Sequence, residues 1–465
     1  MDWLRRRLGW RRLEPFSIYQ FKPLPRDGYL VGGALRDALL GRSYADIDWI
    51  VPDPEAAARR AADTVGGSVF ALDETRGHWR VVTNDGSGVV RDYAPLEGPV
   101  ETNLWRRDYT VNALAATLDG TLIDPTGGER DLRAGRLRMT QRSALSEDTL
   151  RPLRGVRLRA QLGFRLEPAT RAAIVAEARA QQRGERERPA WERVSEELNK
   201  LLNTPDAARG IADLTELGLS AVYLPELMPL RGVPQGGLHH LDVFDHSVEA
   251  LRQLLLGFPD ATLGLRWATL FHDVGKPATR TYDSERGRYT FYGHDKLGGE
   301  ITAKVLRRLC QPGERVRHAS RLVRYHMLPL PNTHREVRRF VYKRYDLLPD
   351  LLSLMLADRE AARGPRASTA AREVYRAAVS RVLEFMKASP PRKPLLDGRE
   401  VMAVLGTGPG PHIGAALAFL REAEAVDDIH NRAEAVEAVR HYAKQQGWLD
   451  EASDEDEEGS SPQDE

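Results

Sequence analysis

Two aspartates, Asp46 and Asp48, stand in a short run of apolar residues whose pattern predicts a β-strand over 46–51. Side chains alternate between the two faces of a strand, so both carboxylates are expected on one face, with Ile47 and Trp49 on the other. Two carboxylates this close repel each other unless a cation lies between them. Mg²⁺ suits that role because it prefers oxygen ligands and commonly binds carboxylates together with substrate phosphates.

A glycine turn lies just upstream of these aspartates. Residues 30–37, Leu-Val-Gly-Gly-Ala-Leu-Arg-Asp, indicate a strand, a turn at Gly32 and Gly33, and the start of a helix. The bare N–H groups of such a turn and of a helix N-terminus can hold a triphosphate. Either feature alone is common. Their order along the chain strongly favours a site that binds a triphosphate and a metal.

A second set of residues suited to metal binding has the order His, His-Asp, Asp, and consists of His246, His272, Asp273 and Asp358. Each falls on a predicted helix or at its end. Imidazole and carboxylate together suit a transition metal or Mg²⁺. His294 and His326 are further candidate ligands, although either could equally cap or pack a helix.

The elements that must position these residues change in type near residue 138. Before it, short β runs are predicted at 29–31, 46–51, 80–83, 89–93 and 121–123. After it, helical periodicity takes over almost completely. Residues 150–162 form one amphipathic stripe, interleaved with arginines and ending at Gly163. We therefore expect the α+β class, with a small α/β head followed by an all-helical body.

The chain has 465 residues, about three domains' worth, of which 42% are hydrophobic and 29% charged. This composition excludes disorder throughout the chain. The apolar runs are far shorter than the roughly 20 residues of a membrane-spanning helix, so no membrane association is expected. Cys310 is the only cysteine, which excludes an intrachain disulfide and a cysteine zinc site. No export signal is recognised, and a reducing cytoplasm is the expected location.

Charge is distributed unevenly along the sequence. Residues 450–465 hold nine acidic and no basic residues, so the net charge of +1 for the whole chain becomes +10 for residues 1–449. Many of the positive charges are arginines, whose planar guanidinium groups can bind two phosphate oxygens. A coding bias toward arginine would also give this composition. The acidic tail is expected to be disordered.

Four further motifs follow the glycine turn and the aspartate pair. They are Trp-Arg-Arg-Asp-Tyr-Thr-Val-Asn-Ala at 105–113, Asp-Pro with Gly and Asp-Leu at 124–132, Glu-Asp-Thr-Leu-Arg at 147–151, and Glu-Arg-x-x-x-Glu-x-x-Lys at 192–200. The five motifs cover roughly the first 200 residues. In type and order they resemble those of the bacterial-type (class II) tRNA nucleotidyltransferase and poly(A) polymerase family.

This resemblance implies a polymerase-β-like head and roles for individual residues. Asp46 and Asp48 would hold two Mg²⁺ ions that activate the RNA 3′-hydroxyl and stabilise the leaving pyrophosphate. Asp92 lies where relatives place a third catalytic carboxylate, unless it is an ordinary surface aspartate. Asp148 and Arg151 would share a helix face and read the incoming base. The other implied nucleotide ligands are Gly32, Gly33, Arg36, Arg107, Asp108, Asn112, Arg154 and Arg157.

The second metal-binding set, together with Phe-His-Asp-Val-Gly-Lys-Pro at 271–277, resembles the HD phosphohydrolase superfamily. The resemblance implies a phosphatase or phosphodiesterase site that uses a divalent transition metal or Mg²⁺. Binuclear members recruit extra histidines, which is the role open to His294 and His326. Some bacterial tRNA nucleotidyltransferases carry such a domain.

Five segments are expected from these motifs and from the breaks between them. They are a nucleotidyltransferase head at 1–138, a helical neck that reads nucleotide and RNA at 139–235, an HD domain at 236–389, a helical tRNA-binding region at 390–448, and the acidic tail at 449–465.

The expected activity is addition of nucleotides to the 3′ end of tRNA, from CTP alone or from CTP and ATP. Only residues 93–106 separate Asp92 from Arg107, whereas complete CCA-adding relatives have a longer flexible loop there. The short loop favours a CC-adding enzyme whose product is completed by a separate A-adding enzyme, with complete CCA addition as the alternative. A poly(A) polymerase, an RNA-binding phosphohydrolase and a non-catalytic RNA-binding protein are less favoured.

Overall fold

The computed structural model describes residues 11–84, 86–235, 240–364, 368–388, 394–425 and 428–449. Seven strands form the sheet of the head: β1 (Tyr29–Val31), β2 (Asp46–Val51), β3 (Ser68–Asp73), β4 (His78–Val82), β5 (Val90–Pro95), β6 (Ala115–Ala116) and β7 (Leu122–Ile123). The short parallel pair β8 (Arg136–Leu137) and β9 (Arg165–Leu166) and the hairpin of β10 (Thr281–Asp283) and β11 (Arg288–Thr290) lie outside this sheet.

Helices dominate the remainder of the described chain. The head contains α1 (Gly33–Leu39), α2 (Pro54–Val65), α3 (Val100–Trp105) and α4 (Gly128–Ala134). Next come α5 (Arg151–Leu162), α6 (Pro168–Gln182), α7 (Trp191–Leu202), α8 (Ala207–Glu216), α9 (Ser220–Tyr223), α10 (Val243–Gly257), α11 (Leu263–Phe271), α12 (Lys276–Thr279), α13 (His294–Arg308), α14 (Gly313–Tyr325), α15 (His334–Arg344), α16 (Asp350–Ala361) and α17 (Thr369–Ala388). The last three are α18 (Gly398–Leu405), α19 (Pro411–Ala425) and α20 (Arg432–Gln445).

The head sheet has the strand order β3-β4-β5-β2-β1-β6-β7. Within it, β2 and β5 run parallel, and the other neighbouring pairs run antiparallel. Along β2, Ile47 and Trp49 are buried while Asp46 is exposed and Asp48 is partly exposed. The predicted alternation of this strand is confirmed, because its apolar face packs into the core and its acidic face remains accessible.

One continuous hydrophobic core runs from the head through α17, and α18 to α20 enclose a separate small core. Ion pairs join this terminal bundle to α15, including Arg335 with Asp428 and Lys343 with Glu422. The expected α+β organisation, with a sheet head and a helical body, is confirmed. None of the described helices is long and apolar enough to cross a membrane.

The secondary-structure predictions differ from the structure in a few places. Strands β1 and β2 have the predicted bounds, and helix α5 ends where predicted because Gly163 adopts a left-handed φ of 64°. The β3 strand and the β10–β11 hairpin were not predicted. The β3 strand has apolar residues on both faces and the short hairpin is mostly exposed, so neither shows the alternation on which the prediction depends. The expected boundaries at 235/236 and 389/390 fall next to or within undescribed residues, and 450–465 of the tail lie outside the described residues.

Candidate functional site

One cleft of about 830 Å³ lies between the sheet of the head and the first helices of the body. Its walls include every residue that the sequence predicts for the nucleotidyltransferase site: Gly32, Gly33, Arg36, Asp46, Asp48, Asp92, Arg107, Asp108, Asn112, Asp148, Arg151, Arg154 and Arg157. These residues come from positions 32 to 157, so only the fold brings them together.

The carboxylates of the cleft come from the two central strands. Asp48 on β2 stands directly opposite Asp92 on β5 in the parallel register. Asp46 lies two residues earlier on β2, on the same face as Asp48. Burial raises the pKa of Asp48, and the neighbouring charges of Asp92 and Asp46 raise it further, while Arg107 opposes this. A divalent cation would relieve that repulsion, and an all-oxygen donor set fits Mg²⁺.

Asp92 has a second partner that the sequence motifs do not indicate. Arg80, its cross-strand neighbour on β4, donates from Nε and Nη2 to the two Asp92 carboxylate oxygens, each at 2.7 Å. This bidentate pair orients Asp92 and holds its charge. Asp92 is therefore a partly buried, ion-paired aspartate in this fold, and its catalytic role stays a prediction.

Gly32 is required by the geometry of the turn. Its φ is 81°, and a Cβ at this position would lie 2.6 Å from Asp48 Oδ2 and 3.2 Å from an Arg107 guanidinium nitrogen. Any other residue would combine backbone strain with a clash against a carboxylate of the site. The glycine thus lets the backbone approach the acidic strand closely.

Arg36 and Asn112 form the buried floor of the cleft. Arg36 donates to both oxygens of Asp37 and, at 2.5 Å, to Asn112 Oδ1. Asn112 in turn donates to Asp108. Arg36 is only 4% exposed, so its contacts orient the α1 turn and the asparagine rather than reach out into the cleft.

Asp108 pairs with Arg154, one of the three arginines of α5 that line the cleft. It accepts from Arg154 Nε at 2.8 Å and from the backbone N–H of Tyr109 at 2.8 Å. Burial alone raises the pKa of this carboxyl, but the charge and hydrogen bonds of Arg154, with Asn112 and Tyr109, hold it at about 2. Asp108 also raises the pKa of Arg154. The pair is therefore fully ionised.

Glu197 of α7 connects Arg154 with Arg157. Arg157 donates from Nε to Glu197 at 2.7 Å, and Arg154 lies 3.7 Å from the other oxygen. Arg154 and Arg157 are three residues apart and share one face of α5. That face offers guanidinium groups to the cleft at fixed positions, which suits phosphate binding.

The predicted base-reading pair is placed differently from the expectation. Helix α5 begins at Arg151, so Asp148 does not share a helix with it but lies in the preceding turn, where it accepts from the Leu150 N–H at 3.0 Å. Pro152 follows as the second residue of α5, a position where its missing N–H costs nothing, and the Asp148 bond closes the turn before the helix. The prediction of a shared helix face is wrong.

Both members of the pair are held by other groups. Arg193 of α7 donates to Asp148 Oδ2 at 2.7 Å, and Arg151 donates to the main-chain carbonyls of Ala144 and Arg106 at 2.6 and 2.9 Å. Burial raises the pKa of Asp148, but the Leu150 N–H and Arg193 lower it below its ordinary value. Both side chains line the cleft, and these bonds fix their positions there.

The fold adds residues that sequence reasoning did not assign to the site. Arg80 lies outside the recognised motifs, and only its strand pairing reveals it. Glu197 and Lys200 belong to the fifth motif, so the sequence did carry a signal for them. Arg42 also lines the cleft and donates to the Gln161 carbonyl.

The second predicted site forms a compact cluster at the meeting of α10, α11, α13, α14 and α16. Two groups of converging ligand atoms share one residue: His246, His272 and Asp273 form the first, and Asp273, His294 and His326 the second. Asp358 joins the first group, with Oδ1 at 2.9 Å from His246 Nε2. All six predicted residues are brought together, including the two histidines whose role the sequence left open.

Three of the histidines are oriented by the backbone. The Nδ1 atoms of His272, His294 and His326 lie 2.8, 2.7 and 2.6 Å from the carbonyls of Thr269, Phe291 and Val323. A carbonyl only accepts, so each Nδ1 carries a proton and Nε2 is the nitrogen that faces the other residues of the cluster. Among the residues that the structure describes, the buried Nε2 atoms of His294 and His326 have no hydrogen-bond partner, and they lie 3.4 and 3.8 Å from Asp273 Oδ1.

The cluster requires positive charge at its centre. Burial lowers the pKa of His272, but Asp273 and Asp358 overcome this and raise it to about 10. Asp273 is flanked by His272 at 3.2 Å on Oδ2 and by His294 on Oδ1, so it has one oxygen for each group. Backbone-oriented imidazoles and a shared carboxylate are a donor set that would hold divalent metal ions, and Asp273 belongs to both groups.

A cavity of about 440 Å³ opens over this cluster. Lys276 lines it and donates to Asp273 Oδ2 at 2.6 Å and to Gln235 at 2.5 Å. The two sites thus lie in separate cavities.

Three family models and two relatives with known names match this chain. Family models match at 78–138 (Poly A polymerase head domain), 163–230 (Probable RNA and SrmB- binding site of polymerase A) and 241–363 (HD domain). The A-adding tRNA nucleotidyltransferase of Deinococcus radiodurans is 50% identical over 426 residues, covering 91% of this chain and 97% of that protein. The CC-adding tRNA nucleotidyltransferase of Thermus thermophilus is 46% identical over 411 residues, covering 88% and 92%.

The fold is also similar to a solved structure. The Bacillus stearothermophilus CCA-adding enzyme in complex with CTP matches with a TM-score of 0.59 at 24% identity, covering 90% of this chain and 94% of that one. The family expected from the motifs is confirmed by the sequence relatives. The chain belongs to the bacterial tRNA nucleotidyltransferase and poly(A) polymerase family, and it carries an HD domain.

Proposed function

We propose that this enzyme adds nucleotides to the 3′ end of tRNA without a nucleic-acid template. The observation that carries the proposal is the single cleft in which Asp46, Asp48 and Asp92 face the arginines of α5. The RNA 3′-hydroxyl gives up its proton to solvent and its oxygen bonds to the α-phosphorus of the nucleotide, while the α–β phosphoanhydride bond breaks and pyrophosphate leaves. Two Mg²⁺ ions, when bound, would activate the 3′-hydroxyl as a nucleophile and stabilise the negative charge on the leaving pyrophosphate.

The roles of the protein groups follow from their positions. Asp46 and Asp48 would hold the metal ions, and Asp92, oriented by Arg80, would complete the acidic wall. Arg107 and Arg154, with Asp108 and Asn112 fixing their positions, would hold the triphosphate. Asp148 and Arg151 would offer one acceptor and one donor to the base edge, so that the protein itself selects the nucleotide.

The product we propose is CC, from CTP. The connection between β5 and α3 comprises residues 96–99 only, and Val100 and Leu104 of α3 are buried. A connection this short and this firmly anchored has little freedom to move. It therefore favours a pocket that does not change from a cytosine-binding to an adenine-binding shape. A separate A-adding enzyme would then complete the tRNA.

Addition of the terminal adenosine alone is the second candidate, because the Deinococcus relative is A-adding and is slightly more similar than the CC-adding one. Both candidates share a pocket with a single base specificity. Complete CCA addition would require the pocket to change.

One experiment separates these three products. The enzyme is given tRNA that ends at the discriminator base, or tRNA that already ends in CC, with CTP and ATP together. CC addition extends the first substrate by two and leaves the second unchanged. A-addition extends only the second, by one. Extension of the first by three, ending in A, would overturn the single-specificity pocket.

For the HD domain we propose a phosphohydrolase that cleaves phosphomonoesters or cyclic phosphates. Water attacks phosphorus, the P–O ester bond breaks, and the alcohol leaves with a proton. Transition-metal or Mg²⁺ ions at the His246, His272, Asp273 and Asp358 cluster, with His294 and His326, would supply the Lewis acid. Release of phosphate from model phosphoesters that depends on added Mn²⁺, Co²⁺ or Ni²⁺ tests this proposal.

The domain organisation we propose keeps the expected limits. The head occupies 1–138, the neck 139–235, the HD domain 236–389 and the tRNA-binding region 390–448. The separate core of the last three helices and their ion-paired attachment to α15 support an independent terminal unit.

A further inference from the structure

The cavity above the HD cluster has an aromatic wall that metal binding does not explain. Residues 288–292, from β11 and the turn that follows it, form this wall and include Tyr289, Phe291 and Tyr292. Tyr292 is 75% exposed and Tyr289 is 39% exposed. The strands β10 and β11 form a separate two-stranded sheet. A two-stranded sheet by itself is only marginally stable in water.

These exposed rings are nevertheless held in place. Arg286 donates to the Tyr292 hydroxyl at 2.7 Å. The Arg280 guanidinium lies 3.7 Å from the centre of the Tyr289 ring, and Tyr282 packs edge-on against the same ring at 5.2 Å. Large aromatic faces that are fixed yet open to a cavity are suited to stacking on a flat ligand.

The same cavity contains two arginines without anionic partners. In the described part of the chain, the guanidinium groups of Arg288 and Arg359 make no hydrogen bond or ion pair, and Arg359 Nε is buried. Arg359 follows the predicted ligand Asp358 and lies 5.7 Å from the Tyr375 ring. Most other arginines of the two sites are paired with carboxylates, so these two are available to a phosphate.

We propose that the β10–β11 hairpin is a base-stacking platform that makes the HD site selective for phosphoesters carrying a nucleobase. Tyr289 and Tyr292 stack on the base, and Arg288 and Arg359 bind the phosphate over the cluster. The cavity of about 440 Å³ lies within the size range of small-molecule sites. This inference rests on the proposed phosphohydrolase function and names its substrate class.

The test uses the full chain and a pair of matched variants, Tyr292→Phe and Tyr292→Leu. Phe keeps the ring and removes only the bond from Arg286, whereas Leu keeps an apolar side chain and removes the ring. Hydrolysis with Mn²⁺ is measured for adenosine 3′-phosphate, for a short RNA ending in a 3′-phosphate, and for glycerol 2-phosphate, which has no base. Calorimetric binding of adenosine 3′-phosphate in EDTA is a readout independent of activity.

For Tyr292→Leu we expect KM for adenosine 3′-phosphate to rise about tenfold with kcat unchanged, as for the loss of one base-stacking contact. Binding in EDTA weakens similarly. Tyr292→Phe keeps the ring but loses the bond from Arg286 that holds it, so its KM should lie between those of wild type and Tyr292→Leu. Hydrolysis of glycerol 2-phosphate, which has no base, keeps its wild-type rate in all three proteins. Tyr292 does not line the head cleft, so its effect reports on the HD cavity. A similar effect with the RNA substrate identifies an RNA end as the source of the base, and an effect confined to the mononucleotide identifies a free nucleotide.

The failures of the two proposals can be distinguished. If Tyr292→Leu leaves the KM of every substrate unchanged, or raises the KM for glycerol 2-phosphate as much as that for adenosine 3′-phosphate, the stacking platform is overturned while the phosphohydrolase proposal stands. If adenosine 3′-phosphate binds in a Tyr292-dependent way but no phosphoester is cleaved, the platform stands and the phosphohydrolase fails. If no probe is bound or cleaved, both fail.

Discussion

Asp48 and Asp92 stand opposite each other across the parallel strands β2 and β5, at the same register position. This pairing brings two carboxylates that are 44 positions apart in the sequence onto one acidic wall. Burial raises the pKa of Asp48, and the neighbouring carboxylates raise it further, so a cation beside Asp48 would favour its ionised form. The juxtaposition of these two carboxylates therefore depends on the register of one strand pair.

Replacement of Asp48 by Asn should reduce nucleotide incorporation by roughly 100-fold or more, because it removes a proposed metal ligand. The melting temperature should stay the same or rise, since a destabilised charge is removed. Incorporation of labelled CTP or ATP and thermal unfolding are measured together. Asp63→Asn, an exposed aspartate on α2, is the control. Near-normal incorporation by Asp48→Asn, or by Asp46→Asn, would refute the assignment.

Gly155→Ala tests the contact that fixes Arg151. A Cβ at Gly155 would lie 2.1 Å from the Tyr109 hydroxyl, which donates to the Arg151 carbonyl at 2.8 Å. We expect a loss of about 1–3 kcal/mol in the free energy of unfolding and weaker nucleotide selection. Gly414→Ala, in α19 with nothing nearby, should instead stabilise slightly. Equal effects from urea unfolding of the two variants would contradict this account.

Asp148→Ala should relax the choice among CTP, UTP and ATP more than it weakens triphosphate binding. The reason is that Asp148 offers an acceptor to the base edge, while Arg154 is held by Asp108 for the phosphates. Values of kcat/KM for each nucleotide provide the measurement, with Arg154→Lys as the phosphate-side comparison. A variant that keeps full discrimination but loses affinity would reverse this division of roles.

Acid unfolding should reveal the buried pair of Asp108 and Arg154. The pKa of Asp108 is about 2, below its ordinary value of about 3.9, so its carboxylate stabilises the fold above pH 4. That contribution declines as the pH falls toward 2. In urea titrations between pH 5 and 2, Asp108→Asn should therefore be less stable than wild type at pH 5, and the difference should shrink toward pH 2. A difference independent of pH would show that the carboxylate charge is not responsible.

Replacement of His272 and Asp273 by Ala should abolish the metal-dependent phosphohydrolase activity and leave nucleotide addition intact, since the two sites lie in separate cavities. Phosphate release with Mn²⁺, Co²⁺ or Ni²⁺ and nucleotide incorporation are compared in one preparation. His430→Ala, at an exposed position, serves as the control. Phosphate release equal to that of wild type would reject a catalytic role for the cluster.

The sequence by itself predicted which residue types come together at both sites. The alternation of β2 placed Asp46 and Asp48 on one face because a strand has a period of two, and the motif order identified the family. The order His, His-Asp, Asp predicted a metal cluster, since those residue types in that pattern suit little else. Local rules sufficed where a short segment carried the information.

Only the tertiary structure decided which long-range partners complete those sites. Arg80 reaches Asp92 through the pairing of β4 with β5, and Arg193 reaches Asp148 from another helix. His294 and His326 join Asp273 because their helices pack against α11, which no local pattern encodes. Strand pairing and helix packing depend on the whole chain, so side chains far apart in sequence acquire their roles only when the core has formed.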